Sequence, residues 1–156
     1  MKLYIDGNHS LVKQETIQVA RRYNLEVVIV MNMPQSDDYI YPQHVTFEYI
    51  NRNYEASDYC ILSMINKGDI LITQDYSLAS LIVLKTIVIN DSGRRYTIEA
   101  INSLTTHHYI LMNQKTKKEI IKSTDFFSPI APVVFTQKLC SYIEKNQGGG
   151  HFNKRK

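Results

Sequence analysis

Two short apolar runs, KLYI and ILIT, each give way to helical patterning, and an aspartate stands at each junction: Asp6 in YIDGN and Asp75 in TQDYS. Turn chemistry is one reading of them. Asp6 precedes Gly7 in a common turn pair, and Asp75 could cap a helix that begins near Tyr76. The other reading makes them two halves of one acidic site. In an open α/β sheet, ligands bind in the crevice at the carboxyl ends of the strands, and parallel strands would bring both residues to that edge. Glu55 and Asp58 open a middle helix that would start on the same edge, although the helix dipole alone favours acids there. Carboxylates gathered on one rim repel each other unless a cation neutralises them. An all-oxygen set suits Mg²⁺ or Mn²⁺, and such an ion activates water and offsets charge on a phosphodiester.

These residues depend on the elements around them. KLYI reads as a buried strand and DGNH as a loop. Ser10 is expected to cap a helix reaching about Asn24, with Val12, Thr16, Val19 and Tyr23 on one stripe. The β-branched run LEVVIVM predicts a strand buried on both faces, which completes a right-handed β-α-β unit. NMPQSDDYIYPQ is a loop and HVTFEYI a third strand nearer an edge. NYEASDYCILSMI returns to helical spacing, with Ala56, Tyr59, Cys60, Ser63 and Met64 on one side. NKGD turns into the strand ILIT, SLASLIVL makes a short helix, and IVIN is the fifth strand. DSGRRYT is a turn containing Gly93, and TIEAINSLTTHHYILMNQ is helical at least to Leu104. STDFFSPIAP is a loop before a last helix over VVFTQKLCSYIEK. Strands alternate with helices throughout, so the predicted fold class is α/β: a single domain over 1–146 with a mostly parallel central sheet flanked by helices, then a flexible basic tail, 147–156.

The 156 residues are 44% hydrophobic and 21% charged, which fits one ordinary globular domain. No apolar run reaches the length of a membrane span. The start reads as a strand, so no signal peptide is expected and the chain is placed in the cytoplasm. Cys60 and Cys140 lack metal spacing and are expected to be buried, reduced thiols. GxGxxG, GxxxxGK[ST] and GxSxG are all absent, so no nucleotide cofactor or nucleophile elbow is signalled. His107 and His108 are expected at the surface, and Asp91, inside NDSG, reads as part of a turn. The net charge of +3 is small. The clusters Arg21-Arg22, Arg94-Arg95, KTKKEIIK and NKRK are either solvated faces or a phosphate-tracking surface.

Asp6, VK at 12–13, EASDYCI, KGDILITQD, LASL and VIN..G..YT together resemble the YaiI/YqxD family of bacterial proteins with a PIN-like nuclease fold. The similarity runs from Met1 to about His108 and returns at Phe127-Ser128 and Phe135. The resemblance implies a PIN-like three-layer sandwich with Asp6, Asp58 and Asp75 as catalytic and metal-holding acids, and Glu55 and Asn8 as further metal ligands. Thr73 and Gln74 would shape the loop, and Lys13, Ser77, Arg94 and Arg95 would meet substrate. It further implies Mg²⁺ or Mn²⁺ and hydrolysis of RNA, with a catalytically inactive RNA- or protein-binding module as the alternative and a small-molecule phosphatase as a third. The chain departs from the family pattern in two places. The family's D-A-D-A-C-P-V-K reads DGNHSLVK here, so Asn8, Ser10 and Leu11 replace Asp, Cys and Pro. Its P-R-G reads DSG, so Asp91 and Ser92 replace Pro and Arg. Asn8 removes one negative charge, and Ser92 removes a bidentate phosphate donor for which Arg94 or Arg95 could substitute.

Overall fold

The structure, a computed structural model, describes residues 1–32, 39–50, 54–113 and 131–148, with the side chains of 54–57, 108–113 and 148 outside the described set. The elements in chain order are β1 (Lys2–Asp6), α1 (Lys13–Arg22), β2 (Glu26–Met31), β3 (Val45–Tyr49), α2 (Tyr54–Met64), β4 (Ile70–Ile72), α3 (Tyr76–Ile82), β5 (Ile87–Ile89), α4 (Ile98–Asn113) and α5 (Pro132–Gly148). The five strands form one sheet in the order β3-β2-β1-β4-β5, and every pairing is parallel.

Strand periodicity sorts the core into two layers. Leu3, Ile5, Val27, Ile29, Ile70 and Ile72 face α1 and α5, where they meet Ile17, Ala20, Phe135, Leu139 and Ile143. The alternate residues Tyr4, Val28, Val30, Leu71 and Val88 face α2, α3 and α4, where they meet Ile61, Leu78, Ile82, Ile101 and Leu104. The result is a three-layer sandwich. Val27 to Val30 are all buried, as a central parallel strand requires. Among the described residues, no helix is long and apolar enough to cross a membrane.

The chain runs outward from β1 through β2 to β3, then crosses back to β4 on the other side of β1. The helix after β1 packs on one face and the helix after β4 on the other. The connections diverge there, so the carboxyl ends of β1 and β4 form the topological switch point at which such sheets bind ligands.

Several local expectations need correction. Ser10 does not cap α1: the helix starts at Lys13, with no side-chain cap at Val12. The Ser10 hydroxyl is instead drawn to Asp91, as described below. The buried residues of α2 and its end are Ile61 and Ile65, whereas Tyr59 and Ser63 are exposed. Here the i, i+4 isoleucine pair outweighs the more polar stripe read from spacing, and Ala56 lies outside the described side chains. Cys60 and Cys140 are half-buried rather than buried, and both are free thiols. Gly7 is required by packing: a Cβ there would lie 2.6 Å from Met31 Cγ and 2.7 Å from Ile29 Cγ2. Asn24 does stop α1, in the left-handed region at φ 59°, and α4 continues past Leu104 to Asn113. The last helix runs through Gly148, two residues into the expected tail. Residues 149–156, the KTKKEIIK stretch and Phe127-Ser128 lie outside the described residues.

Candidate functional site

The register of β1 on β4 pairs Leu3 with Ile70, Tyr4 with Leu71 and Ile5 with Ile72. One step further, Asp6 and Thr73 fall beside each other on the face shared by Tyr4 and Leu71, because side chains alternate along a strand. The Thr73 hydroxyl donates to Asp6 Oδ2 at 2.8 Å and accepts the Asp75 backbone N–H at 3.0 Å. Thr73 is fully buried and Asp6 nearly so. One threonine therefore fixes the rotamer of the first acid and the backbone that carries the second. His9 Nδ1 lies 3.3 Å from the same Asp6 oxygen.

Asp75 is the N-cap of α3, and its Oδ1 accepts from the backbone N–H groups of Ser77 at 2.9 Å and Leu78 at 3.3 Å. The capping reading of this residue is thus correct, and it uses only one carboxylate oxygen. Among the described residues, neither Asp6 Oδ1 nor Asp75 Oδ2 has a hydrogen-bond partner.

Asp91 is a residue for which the sequence indicates only a turn. It does sit in one, but its carboxylate is fully buried. Its Oδ1 accepts from the Ser10 hydroxyl at 3.1 Å and its Oδ2 from the Leu11 N–H at 2.7 Å. Its own N–H donates to Gln74 Oε1 at 2.8 Å. Asp91 therefore fastens the β1–α1 loop, the β4–α3 loop and the β5 end into one rim. Burial raises its pKa; the Leu11 N–H, Ser10 and Lys13 pull it back, and Asp6 pushes it up. Ser10, Leu11 and Asp91 thus form one hydrogen-bonded unit.

The three acids converge on Tyr96. This tyrosine is fully buried, and its hydroxyl donates to the Thr73 carbonyl at 3.0 Å. Burial, then the charges of Asp75, Asp91 and Asp6, push its phenol far above the ordinary value. Asp58 lies half-exposed in α2. Glu55 begins the same helix, but its side chain is outside the described set. Asn8 is exposed, and its carbonyl oxygen accepts the Asn32 N–H at 3.2 Å.

The expected substrate contacts divide. Lys13 reaches the rim: its ammonium donates to the Ser10 carbonyl at 3.3 Å and its charge acts on Asp91. Ser77 joins through its backbone N–H on Asp75. Arg94 is exposed, and its backbone N–H is bound by Asn90 Oδ1 at 2.9 Å. Arg95 lines a separate pocket with Lys67 and Lys85. The Ser92 hydroxyl is taken up by Asn90 Oδ1 at 2.7 Å. Thr73 and Gln74 do shape the loop, as expected. Tyr96 falls within VIN..G..YT, where the resemblance implies no role for it, and Asp91 reads as a turn residue, although it follows its strand much as Asp6 and Asp75 follow theirs.

As a donor set, the rim suits a hard cation held sparsely. Mg²⁺ commonly takes one or two protein carboxylates and keeps waters or phosphate oxygens for the rest; Asp6 and Asp75 can each spare one oxygen. Among the described residues, no three His, Cys, Asp or Glu side chains are grouped to hold a metal by themselves. Asp91, with both oxygens engaged, serves the rim by tying its loops together.

Comparison with known proteins gives a consistent family. The family described as "Uncharacterized BCR, YaiI/YqxD family" matches residues 4–145. A UPF0178 protein of Enterococcus faecalis is 35% identical over 147 residues, covering 94% of this chain and 99% of that protein. One from Oceanobacillus iheyensis is 31% identical over 146 residues, 93% of this chain and 100% of the relative. One from Staphylococcus aureus is 31% identical over 144 residues, 92% and 95% respectively. No solved structure matches the chain.

Proposed function

The chain belongs to the YaiI/YqxD family, and on that footing we propose that its rim between β1 and β4 is a divalent-metal-dependent phosphodiesterase site of PIN-like type that acts on RNA. The observation that carries this reading is the hydrogen-bonded set Asp6–Thr73–Asp75 at the switch point. It aligns two strand-end carboxylates, each with an oxygen to spare, in the place where such sheets hold ligands. Asp6 and Asp75 would hold Mg²⁺ or Mn²⁺, which when bound supplies charge neutralisation and a water of lowered pKa. Thr73 keeps the Asp6 carboxylate oriented, and α3 holds Asp75 through its cap. Lys13 provides positive charge beside the rim for a phosphate oxygen. Tyr96, buried beneath this set, fixes the Thr73 carbonyl through its hydroxyl.

A fluorescently labelled single-stranded RNA, incubated with the metal-stripped protein and then with Mn²⁺, tests the proposal. Cleavage that appears with Mn²⁺ and disappears in Asp6→Asn supports it. Cleavage at the same rate in Asp6→Asn, or none in the parent with Mn²⁺ or with Mg²⁺ in its place, contradicts it.

One observation favours the alternative, a binding module that does not turn over. Asp91, Asp75 and Asn8 all carry structural hydrogen bonds, so the rim has a reason to persist without chemistry. RNA retained by the parent and by Asp6→Asn equally, with no cleavage, would select that reading.

A further inference from the structure

The sheet has a second concave feature at its opposite edge. A pocket of ≈ 360 Å³ opens at the amino ends of β4 and β5, lined by Lys67 and Gly68 before β4, Lys85 and Thr86 before β5, Arg95 and, from α5, Asn146. Three cationic residues from three separate segments meet there, and the lining holds no carboxylate. The acid nearest in sequence, Asp69, is committed elsewhere: its oxygens accept the backbone N–H groups of Lys2 and Asn66, both at 2.8 Å. Among the described residues, none of Lys67, Lys85 and Arg95 forms an ion pair.

Part of this charge has a structural cause. Lys67 follows α2, Lys85 follows α3, and α5 ends near Asn146. Cations at helix carboxyl ends are favoured, but each end offers only about −0.5 of an elementary charge. Three helix ends thus offset about half of the three positive charges, and Arg95 belongs to no helix end. One donor of the surplus is placed by the fold. Lys85 Nζ donates to the Leu62 carbonyl at 3.0 Å, which fixes the ammonium and leaves two of its three protons. At Gly68, φ +98°, even an added Cβ would meet nothing within 4 Å, so the entrance is open.

We propose that this pocket binds a small phosphate anion, through Lys67, Lys85 and Arg95 with the Asn146 carboxamide beside them. The volume lies at the low end for small-ligand sites, enough for one or two phosphoryl groups. An arginine and two lysines are the donors that phosphate oxygens take best. The assignment stands apart from the acidic rim, since it needs neither Asp6 nor a metal.

The experiment is a calorimetric titration of the full chain with inorganic pyrophosphate, in chelator and at low ionic strength. Chelator removes any divalent ion, so a failure here is separate from a failure of the rim. The parent is expected to bind saturably, one per chain. Lys85→Gln and Arg95→Gln should each weaken binding by about tenfold or more, while Arg95→Lys keeps most of it. Arg21→Gln, on α1, should bind as the parent does; the thermal midpoint of each variant shows that the fold is intact. Absence of saturable binding in the parent overturns the proposal, and so does equal binding by the parent, Lys85→Gln and Arg95→Gln. Binding of a single-stranded oligonucleotide that these two substitutions abolish, with no binding of pyrophosphate, overturns the small-anion assignment.

Discussion

Replacing Asp91 is the sharpest probe of how the rim is held together. Its carboxylate is fully buried and receives the Ser10 hydroxyl and the Leu11 N–H from a loop 80 residues away in sequence. Hydrogen bonds to a charged group contribute about 1.5–3 kcal/mol each, and removing the burial cost of the charge offsets part of the loss. Asp91→Ala should therefore cost about 2–4 kcal/mol, since it removes both hydrogen bonds and leaves the partly buried Leu11 N–H without its acceptor. At this chain length that lowers the thermal midpoint by roughly 5–15 °C. Asp91→Asn should cost less, about 0–1.5 kcal/mol: its oxygen can accept from Leu11 while its amide donates to the Ser10 oxygen. The pH dependence separates charge from shape. Burial raises the folded pKa of Asp91 above its ordinary 3.8 despite the stabilising hydrogen bonds. Between the two values the folded chain binds more proton than the unfolded one, so stability rises on acidification. This contribution is complete below the unfolded pKa and is lost as pH rises through the folded pKa. Urea unfolding of the parent and of the Asp91→Asn variant, from about pH 3.5 to about pH 7, reads it directly. The parent should gain stability relative to that variant as the pH falls into the window, and the difference should then level off. A stability difference that stays constant with pH, or that moves the other way, would refute the assigned environment; so would an alanine variant as stable as the parent.

Gly7→Ala should cost about 1–3 kcal/mol by urea unfolding, because its Cβ would meet Met31 and Ile29 inside contact distance; a neutral result would mean that β2 yields freely. Thr73→Val keeps the shape but removes the donor to Asp6 and the acceptor for the Asp75 N–H. It should cost about 1–3 kcal/mol and weaken Mn²⁺ binding, and unchanged Mn²⁺ affinity in calorimetry would free Thr73 of any orienting role. Asp75→Ala should lose its cap and about 1 kcal/mol, whereas Asp75→Asn should hold its stability because asparagine caps equally well; matched losses in thermal unfolding would contradict the cap as the stabilising feature.

The strands are legible because parallel strands buried on both faces leave continuous apolar runs, as in EVVIVM. With the strands known, Asp6 and Asp75 follow, since a parallel sheet brings all strand ends to one edge. Asp91 is hidden by the strength of its own turn signal: NDSG explains itself locally and gives no hint that its carboxylate is buried. The Ser10–Asp91 contact spans 81 positions, a distance over which periodicity carries no information. Ser10 looks like a cap because its oxygen does accept a local N–H, that of Val12 at 3.2 Å, whereas its hydroxyl donates to Asp91, far away in sequence. The buried face of α2 differs from the expected one because Ile61 and Ile65 lie close to the more polar stripe, and only the packed sheet decides between them. Arg95 shows the limit in another way. Its position after β5 suggests the rim, yet the return of the chain beside Ile89 brings it to the pocket shared with Lys67 and Lys85.

The most direct measurement for the central claim is a calorimetric titration of the metal-stripped protein with Mn²⁺, run beside Asp75→Asn. That variant keeps the cap and loses only the charge, so folding and ion binding are read separately. The account predicts saturable Mn²⁺ binding by the parent and its loss in Asp75→Asn at unchanged thermal stability. Equal binding by both proteins, or none by the parent, would contradict it.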